Sequence, residues 1–325
     1  MKALLLPKPG DCETMTVGEL PIPEPGPGEI RVKVRASGLN PSDFQRAGYE
    51  LPGAPYPFVL GIDVAGVVDA IGPDVRRCEI GDRVAVHNDI RRRGGFEEYA
   101  VVDARATAII PDNVSFTSAA AVPSAGLTAY QAIDRKLQVT SSDTVLITGA
   151  GGGVGGFAAQ LAASRGAHVI GVASGKHEDR VRSLGAHEFI DYRTTDVGDR
   201  VREITDGQGV DAVLDVVGAD SATEKLQLLA FAGRIATTAG DPDFSTVNSL
   251  DTGLSWFGLA TGLAYVHGTD SDVEELALML EELFALVRDG EVDPMVTSTI
   301  SLDEVPHRLA EMAEGKSGGK TVAVL

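Results

Sequence analysis

Two hydrophobic periods divide the chain. In EIRVKVRA (29–36), Ile30, Val32 and Val34 alternate with Arg31, Lys33 and Arg35. A period of two puts apolar side chains on one face of a half-buried strand. DVAGVVDAIG (63–72) and GDRVAV (81–86) follow, with turn residues between them, so the first third reads as all-β. After Pro111 the character changes: TSAAAVPSAGLTAYQAID (117–134) reads as helical, and strands then alternate with helices. Strands are expected at 144–149, 168–173, 188–192, 212–218 and 234–240, with helices at 154–165, 176–184, 196–206 and 221–231. That alternation specifies an α/β fold: a parallel sheet with helices on both faces. LSWFGLATGLAYVHG (254–268) reads as an apolar strand, either in the core or at an edge that pairs two copies. Residues 274–290 predict an amphipathic helix burying Leu276, Leu280, Leu283 and Val287, and 303–315 a shorter helix leading to a terminal strand.

Six glycines fall between Gly149 and Gly156, where the strand TVLITG gives way to an Ala-rich helix. Glycine loses more backbone freedom on folding than any other residue, so such a cluster needs a reason. Gly151-x-Gly153-x-x-Gly156 supplies one. Between a strand and a helix, this spacing lets a pyrophosphate approach the backbone N–H groups at the positive end of the helix. The choice of dinucleotide lies at the end of the next strand, where NAD-binding members of this fold carry a ribose carboxylate. Here the chain reads VASGKHEDR, offering Ser174, Lys176 and Arg180, which suit a 2′-phosphate and therefore NADPH. The alternative is that Lys176 and Arg180 are simply exposed on the helix. Glu178 and Asp179 are expected to start that helix and face away.

Composition narrows the class. The chain has 325 residues, 28 Lys and Arg against 47 Asp and Glu, and a formal charge of −19. That charge excludes a nucleic-acid surface, which needs a basic footprint. Eight lysines among so many carboxylates fit a salt-adapted, halophilic surface; an acidic protein of an ordinary cytoplasm is the other reading. Cys12 and Cys78 stand far apart, outside any metal or disulfide spacing, and no apolar run is long enough to span a membrane. The short apolar stretch before Pro7 is no signal peptide, so a cytoplasmic location is the default. The arginines of RRRGG (91–95) are expected in a solvated loop. The six histidines (87, 168, 177, 187, 267, 307) show no paired metal spacing and are expected at the surface.

ASGLNPSD (36–43), LGIDVAGVV (60–68), GDRV (81–84), GGFEEYA (94–100), PSAGLTAY (123–130), AGGGVG (150–155) and GKSGGKTVAVL (315–325) together resemble the medium-chain dehydrogenase/reductase superfamily, and within it the zinc-free, zeta-crystallin-like quinone oxidoreductases. The resemblance implies a GroES-like β domain over 1–120, completed by 269–325, around a Rossmann domain over 121–268. Zinc-dependent relatives have cysteine where this chain has Asn40, and Gly-His-Glu where it has Gly61-Ile62-Asp63; asparagine and isoleucine do not suit zinc. No metal is therefore expected.

The resemblance further implies hydride transfer from NADPH to a small acceptor, a quinone or an α,β-unsaturated carbonyl, and a homodimer. Enoyl-thioester reductase and non-catalytic binding protein stand as alternatives. Asn40 is placed beside the nicotinamide, with Asp43 next to it as either catalytic group or cap, and Tyr49 as hydrogen-bond or proton donor. Thr128 is placed near the nicotinamide, Gly152, Gly153 and Val154 at the pyrophosphate, Ser174, Lys176 and Tyr192 near the 2′-phosphate, and Lys316 in the closing loop. The alternative for Tyr192 is a strand-end aromatic, and for Lys316 and Lys320 loop charges. Acceptor specificity is expected from loops at 44–58, 88–95 and 241–260.

Overall fold

Ile30, Val32 and Val34 are all buried, as their alternation requires. They lie on β3 (Glu29–Gly38), the central strand of one of the two units seen in the computed structural model. The structure describes residues 1–50, 55–316 and 318–325. Residues 51–54 of the expected specificity loop 44–58, and Ser317 of the closing motif, lie outside the described residues. The first unit comprises Met1–Leu127, Gly262–Gly290 and Pro294–Leu325; the second comprises Thr128–Thr261 and Glu291–Asp293. The sequence expectation placed the divisions at 120 and 268.

In the first unit, β1 (Lys2–Leu5) pairs with β2 (Thr16–Glu19) as a separate ribbon. The larger sheet also contains β4 (Asp63–Ile71), β5 (Arg83–His87), β6 (Tyr99–Asp103) and β7 (Ala108–Ile109). Two strands from the far end of the chain complete it, β14 (Val296–Ile300) and β15 (Lys320–Val324). The order is β14-β15-β3-β4-β5-β7, with β6 also on β3, and every pairing but β14–β15 is antiparallel. Leu4, Leu6, Leu39, Phe58 and Phe96 form a core with Val305 and Leu309 of helix Val305–Ala313. This is the GroES-like β domain.

The second unit is a six-stranded parallel sheet. Its strands are β8 (Thr144–Thr148), β9 (His168–Ala173), β10 (Glu188–Asp191), β11 (Val210–Asp215), β12 (Leu229–Thr237) and β13 (Ser255–Gly258). The order is β10-β9-β8-β11-β12-β13. The order reverses at β8, and ligands of such doubly wound sheets bind at the carboxyl ends of the strands beside that reversal. Leu146, Ile170, Val213 and Ile235, one from each of four neighbouring strands, share a buried cluster with Val201, Ala222 and Leu226 from the covering helices. This is a Rossmann fold.

Several sequence expectations are corrected. The helix expected at 117–134 is broken at Pro123 into Phe116–Ala120 and Pro123–Tyr130, with a wider turn over Gln131–Lys136. Proline at position 123 has no N–H to donate, and its ring crowds the preceding turn. Of the apolar run 254–268, only Ser255–Gly258 is a strand. Ala264–His267 is a short helix that buries Tyr265, whose hydroxyl donates to the His87 carbonyl at 2.6 Å. The helix expected to reach 231 stops at Leu226, and β12 begins at Leu229, five residues before its expected start. In helix Asp270–Arg288, Leu276, Leu280 and Leu283 are buried while Val287 is half-buried. No helix among the described residues is long and apolar enough to cross a membrane.

Candidate functional site

The glycine turn lies at the carboxyl end of β8. Gly149 has φ +64°, a left-handed conformation that side chains disfavour. A Cβ on Gly155 would lie 2.4 Å from the Gly149 carbonyl oxygen, so the first turn of helix Gly153–Ser164 packs on the strand end only without a side chain there. Gly152 precedes this helix as its cap residue and has no side chain to satisfy the first N–H groups. Gly152, Gly153 and Val154 are half-exposed, leaving backbone donors for a pyrophosphate. Across the reversal, Asp215 at the end of β11 accepts from Thr148 Oγ1 at 2.8 Å, Ser221 Oγ at 2.6 Å and the Val217 N–H at 2.9 Å. Asp215 thus ties the two loops flanking the switch point. A lone aspartate ending an apolar strand gave sequence reading no signal of this.

At the neighbouring strand ends, Ser174 is buried and Lys176 exposed. Glu178 and Asp179 do begin a helix, Glu178–Ser183, and Glu178 pairs with Arg182 at 2.9 Å. Arg180 donates to the Gly151 carbonyl. It therefore holds the glycine turn rather than extending into solvent. Tyr192 is 55% exposed at the end of β10, and the Arg193 guanidinium lies 5.9 Å from its ring centre. Arg193 escaped the sequence reading because it follows a strand rather than a recognised fingerprint.

In the first unit, Asn40 and Asp43 open helix Pro41–Ala47 as a reciprocal cap: the Asn40 N–H donates to Asp43 Oδ2 at 2.9 Å. Asp43 Oδ1 also takes the N–H groups of Gly61 and Ile62, at 3.3 and 3.2 Å. Burial raises the Asp43 carboxyl to about 6 against the opposing pull of Arg46. Asn40 is only 4% exposed. Its amide nitrogen donates to Asp63 Oδ2 at 2.8 Å and to the Gly38 carbonyl at 3.2 Å. Its oxygen accepts from Lys320 Nζ at 2.6 Å. Both amide hydrogens are thus engaged. Asp63 Oδ1 receives the Ser124 hydroxyl at 2.6 Å and the Ser124 N–H at 2.9 Å.

Lys320 is no loop charge. It lies on β15, is 3% exposed, and reaches the Leu39 carbonyl at 3.1 Å and Asp63 at 3.6 Å. Burial pushes its ammonium down, and Asp63 and Asp43 pull it back up. Its place in a glycine-rich closing motif concealed this, because only the strand pairing of β15 with β3 carries it inward.

Tyr49 is 53% exposed, just beyond helix Pro41–Ala47. Thr128 Oγ1 lies 3.3 Å from Thr261 Oγ1 in the second unit. Lys316 is exposed and pairs with Glu314. His87 departs from expectation: it is buried, its Nδ1 has no partner, and burial holds its pKa low. His177 is half-buried, with its ring over Gly151. The arginines of 91–93 are each neutralised, Arg91 by Asp89, Arg92 by Glu29 and Arg93 by Glu97.

Comparison with known proteins agrees with this architecture. Residues 26–112 match the alcohol dehydrogenase GroES-like domain family, and 153–283 the family described as zinc-binding dehydrogenase. A quinone oxidoreductase of Pseudomonas aeruginosa is 35% identical over 308 residues, covering 92% of each chain. A trans-enoyl reductase of Aspergillus terreus is 36% identical over 64% of this chain and 74% of its own. Among solved structures, the quinone oxidoreductase of Pseudomonas syringae superposes with a TM-score of 0.88 at 28% identity, over 100% of this chain and 99% of that one. With both folds and the glycine turn in place, the chain belongs to the medium-chain dehydrogenase/reductase superfamily, as an oxidoreductase on the branch that holds the quinone oxidoreductases.

Proposed function

We propose that this chain is an NADPH-dependent, zinc-independent reductase that delivers a hydride to a quinone or an α,β-unsaturated carbonyl. The observation that carries the reading is the contact of Lys320 Nζ with Asn40. Zinc-dependent relatives use the positions of Asn40 and Ile62 as ligands. Here one is an amide already bound to an ammonium group, and the other is a buried hydrocarbon. A zinc ion needs thiolate, imidazole or carboxylate donors, and a buried cation beside it would repel it. The donor set does not fit zinc, and no step is assigned to it.

Reduction without a Lewis acid favours acceptors that disperse the incoming charge themselves. The residues around the glycine turn fit a dinucleotide, through Gly152, Gly153 and Val154 at the pyrophosphate and Ser174, Lys176 and Tyr192 at the ribose phosphate. When bound, the reduced nicotinamide supplies the hydride. The acceptor becomes a hydroquinone anion or enolate, which takes its proton from water. Tyr49, exposed at the helix end, donates a hydrogen bond to the developing oxyanion. Asn40 and Asp43 act by position: their mutual cap sets the start of helix Pro41–Ala47, which leads to Tyr49. Thr128 and Lys316 serve as further cofactor contacts.

The quinone oxidoreductase and trans-enoyl reductase relatives support this acceptor class. An enoyl-thioester reductase would additionally need a basic entrance for its carrier's phosphate, and the arginine run at 91–93 is neutralised by its own carboxylates. The protein is further proposed to act in the cytoplasm as a homodimer joined at β13, whose outer edge has no strand partner among the described residues. The test is a panel of quinones, enones and enoyl thioesters with NADPH and NADH, at low and high salt. Turnover of quinones or enones supports the reading. NADPH binding without turnover of any acceptor would identify a binding protein instead.

A further inference from the structure

The ribose-phosphate site proposed above assigns Lys176 and Tyr192, and the sequence adds Arg180. The structure commits Arg180 elsewhere. One terminal nitrogen donates to the Gly151 carbonyl, the same nitrogen lies 3.4 Å from His177 Nδ1, and Nε is sealed without a partner. A guanidinium held in this way braces the pyrophosphate turn and is not free to swing toward a phosphate.

A different cation stands at the site. β9 and β10 are parallel neighbours, with Asp191 opposite Ala173. The Tyr192 N–H reaches the Ala173 carbonyl at 3.4 Å. The segment Ser174–Lys176 therefore runs beside Tyr192 and Arg193. Arg193 is exposed, lies against the Tyr192 ring, and has no carboxylate partner among the described residues. Lys176 is likewise exposed and unpaired among them. Burial holds the half-buried His177 pKa low, and Arg180, Lys176 and Arg193 add to the effect, so both exposed cations stand near this ring.

Two carboxylates nearby need accounting. Glu178 is paired with Arg182. Asp191 is half-buried: its Oδ1 takes the Arg193 N–H at 3.0 Å, and its Oδ2 packs against Gly175, where a Cβ would be only 2.5 Å away. Asp191 is thus committed to the turn that presents Arg193.

We propose that Arg193, together with Lys176, reads the 2′-phosphate of the cofactor, and that Arg180 supports the glycine turn without distinguishing phosphorylated from unphosphorylated cofactor. This rests on the NADPH assignment above. A guanidinium can grip a phosphate through two parallel N–H donors, and the Tyr192 ring at its side limits its motion.

The test is equilibrium binding, read by cofactor fluorescence for NADPH and NADH and by calorimetry for adenosine 2′,5′-bisphosphate and 5′-AMP. Arg193→Gln should weaken NADPH and the bisphosphate about tenfold, as expected for a lost charge-assisted contact. NADH and 5′-AMP should be unaffected, and Arg193→Lys should recover part of the loss. Arg180→Gln should weaken NADPH and NADH by the same factor. Arg193 is exposed, so its replacement should leave the melting temperature unchanged. If the unmodified protein prefers NADPH and R193Q keeps that preference, the inference fails while the NADPH assignment stands. If loss of preference follows R180Q instead, the inference also fails. If the unmodified protein binds NADPH and NADH equally, both readings fall.

Discussion

Lys320 Nζ donates to Asn40 Oδ1 at 2.6 Å, while the same amide donates from Nδ2 to Asp63 at 2.8 Å. A cation from the last strand and an anion from β4 thereby fix one amide between them, all three nearly sealed from water. Removing one member of a buried charge pair leaves the other desolvated and uncompensated, at a cost of about 3–5 kcal/mol. Lys320→Met should therefore lower the unfolding free energy by about that amount, measured by urea denaturation. Adding Asp63→Asn should recover at least about 1 kcal/mol, because the two sites share a network. Simple addition of the two losses would show that the pair is not coupled.

Glu97 gives a pH prediction. It is almost fully buried, and burial raises its carboxyl to about 7, opposed by Arg93. The native state then holds this proton more tightly than the unfolded chain does. The resulting stability is complete below about 4.5, the unfolded value, and is lost as pH rises through 7. Asp43 works in the same sense but between 3.8 and about 6. His87 works in the opposite sense below 6.5, because burial lowers its pKa. Glu97 dominates between pH 6.5 and 8, where Asp43 is already mostly ionised and the unfolded His87 loses only the remaining half of its charge, with the opposite sign. Stability should fall across that window by on the order of 1 kcal/mol, followed by thermal unfolding, and Glu97→Gln should flatten the slope. An unchanged slope in the variant would assign it to another group.

The metal reading makes a separate prediction. With an amide at position 40 and isoleucine at 62, the purified protein should carry well under one zinc per chain by elemental analysis. Its turnover should survive a strong chelator. One tightly bound zinc per chain, with turnover lost on its removal, would overturn the zinc-independent assignment.

The parts of the fold that were legible in the sequence were those where a local pattern coincides with the final environment. The alternation of Ile30, Val32 and Val34, and the strand–glycine–helix passage at 144–164, needed nothing distant to decide them. Tertiary contacts decided the rest. The run 254–268 has the composition of a strand throughout, but the hydrogen bond from Tyr265 to His87 belongs to a helix in the first unit. Lys320 and Asp63 are 257 residues apart and meet only because β15 joins the sheet beside β3. The sequence motif suggests Arg180 for the 2′-phosphate, yet the Gly151 carbonyl takes its guanidinium. Side-chain direction is set by packing, and a motif does not encode it.

The surface supplies a last prediction. The formal charge is −19, and this excess of carboxylates repels itself in the compact state. Salt also weakens favourable pairs such as Arg77–Glu281, Arg105–Asp270 and Arg200–Glu203. Exposed pairs of this kind contribute about 0–1 kcal/mol each, so their weakening is a small loss. The repulsion sums over the whole molecule and is the larger effect at low ionic strength. Raising ionic strength from about 0.01 to 1 M shortens the screening length from about 30 to 3 Å, which removes most interactions between distant charges. The melting temperature should therefore rise across that range in KCl, with most of the gain at the low end if simple screening is responsible. A gain that continues into molar salt would mark a salt-adapted surface. A melting temperature that falls from the first addition of salt would show that the ion pairs outweigh the excess charge.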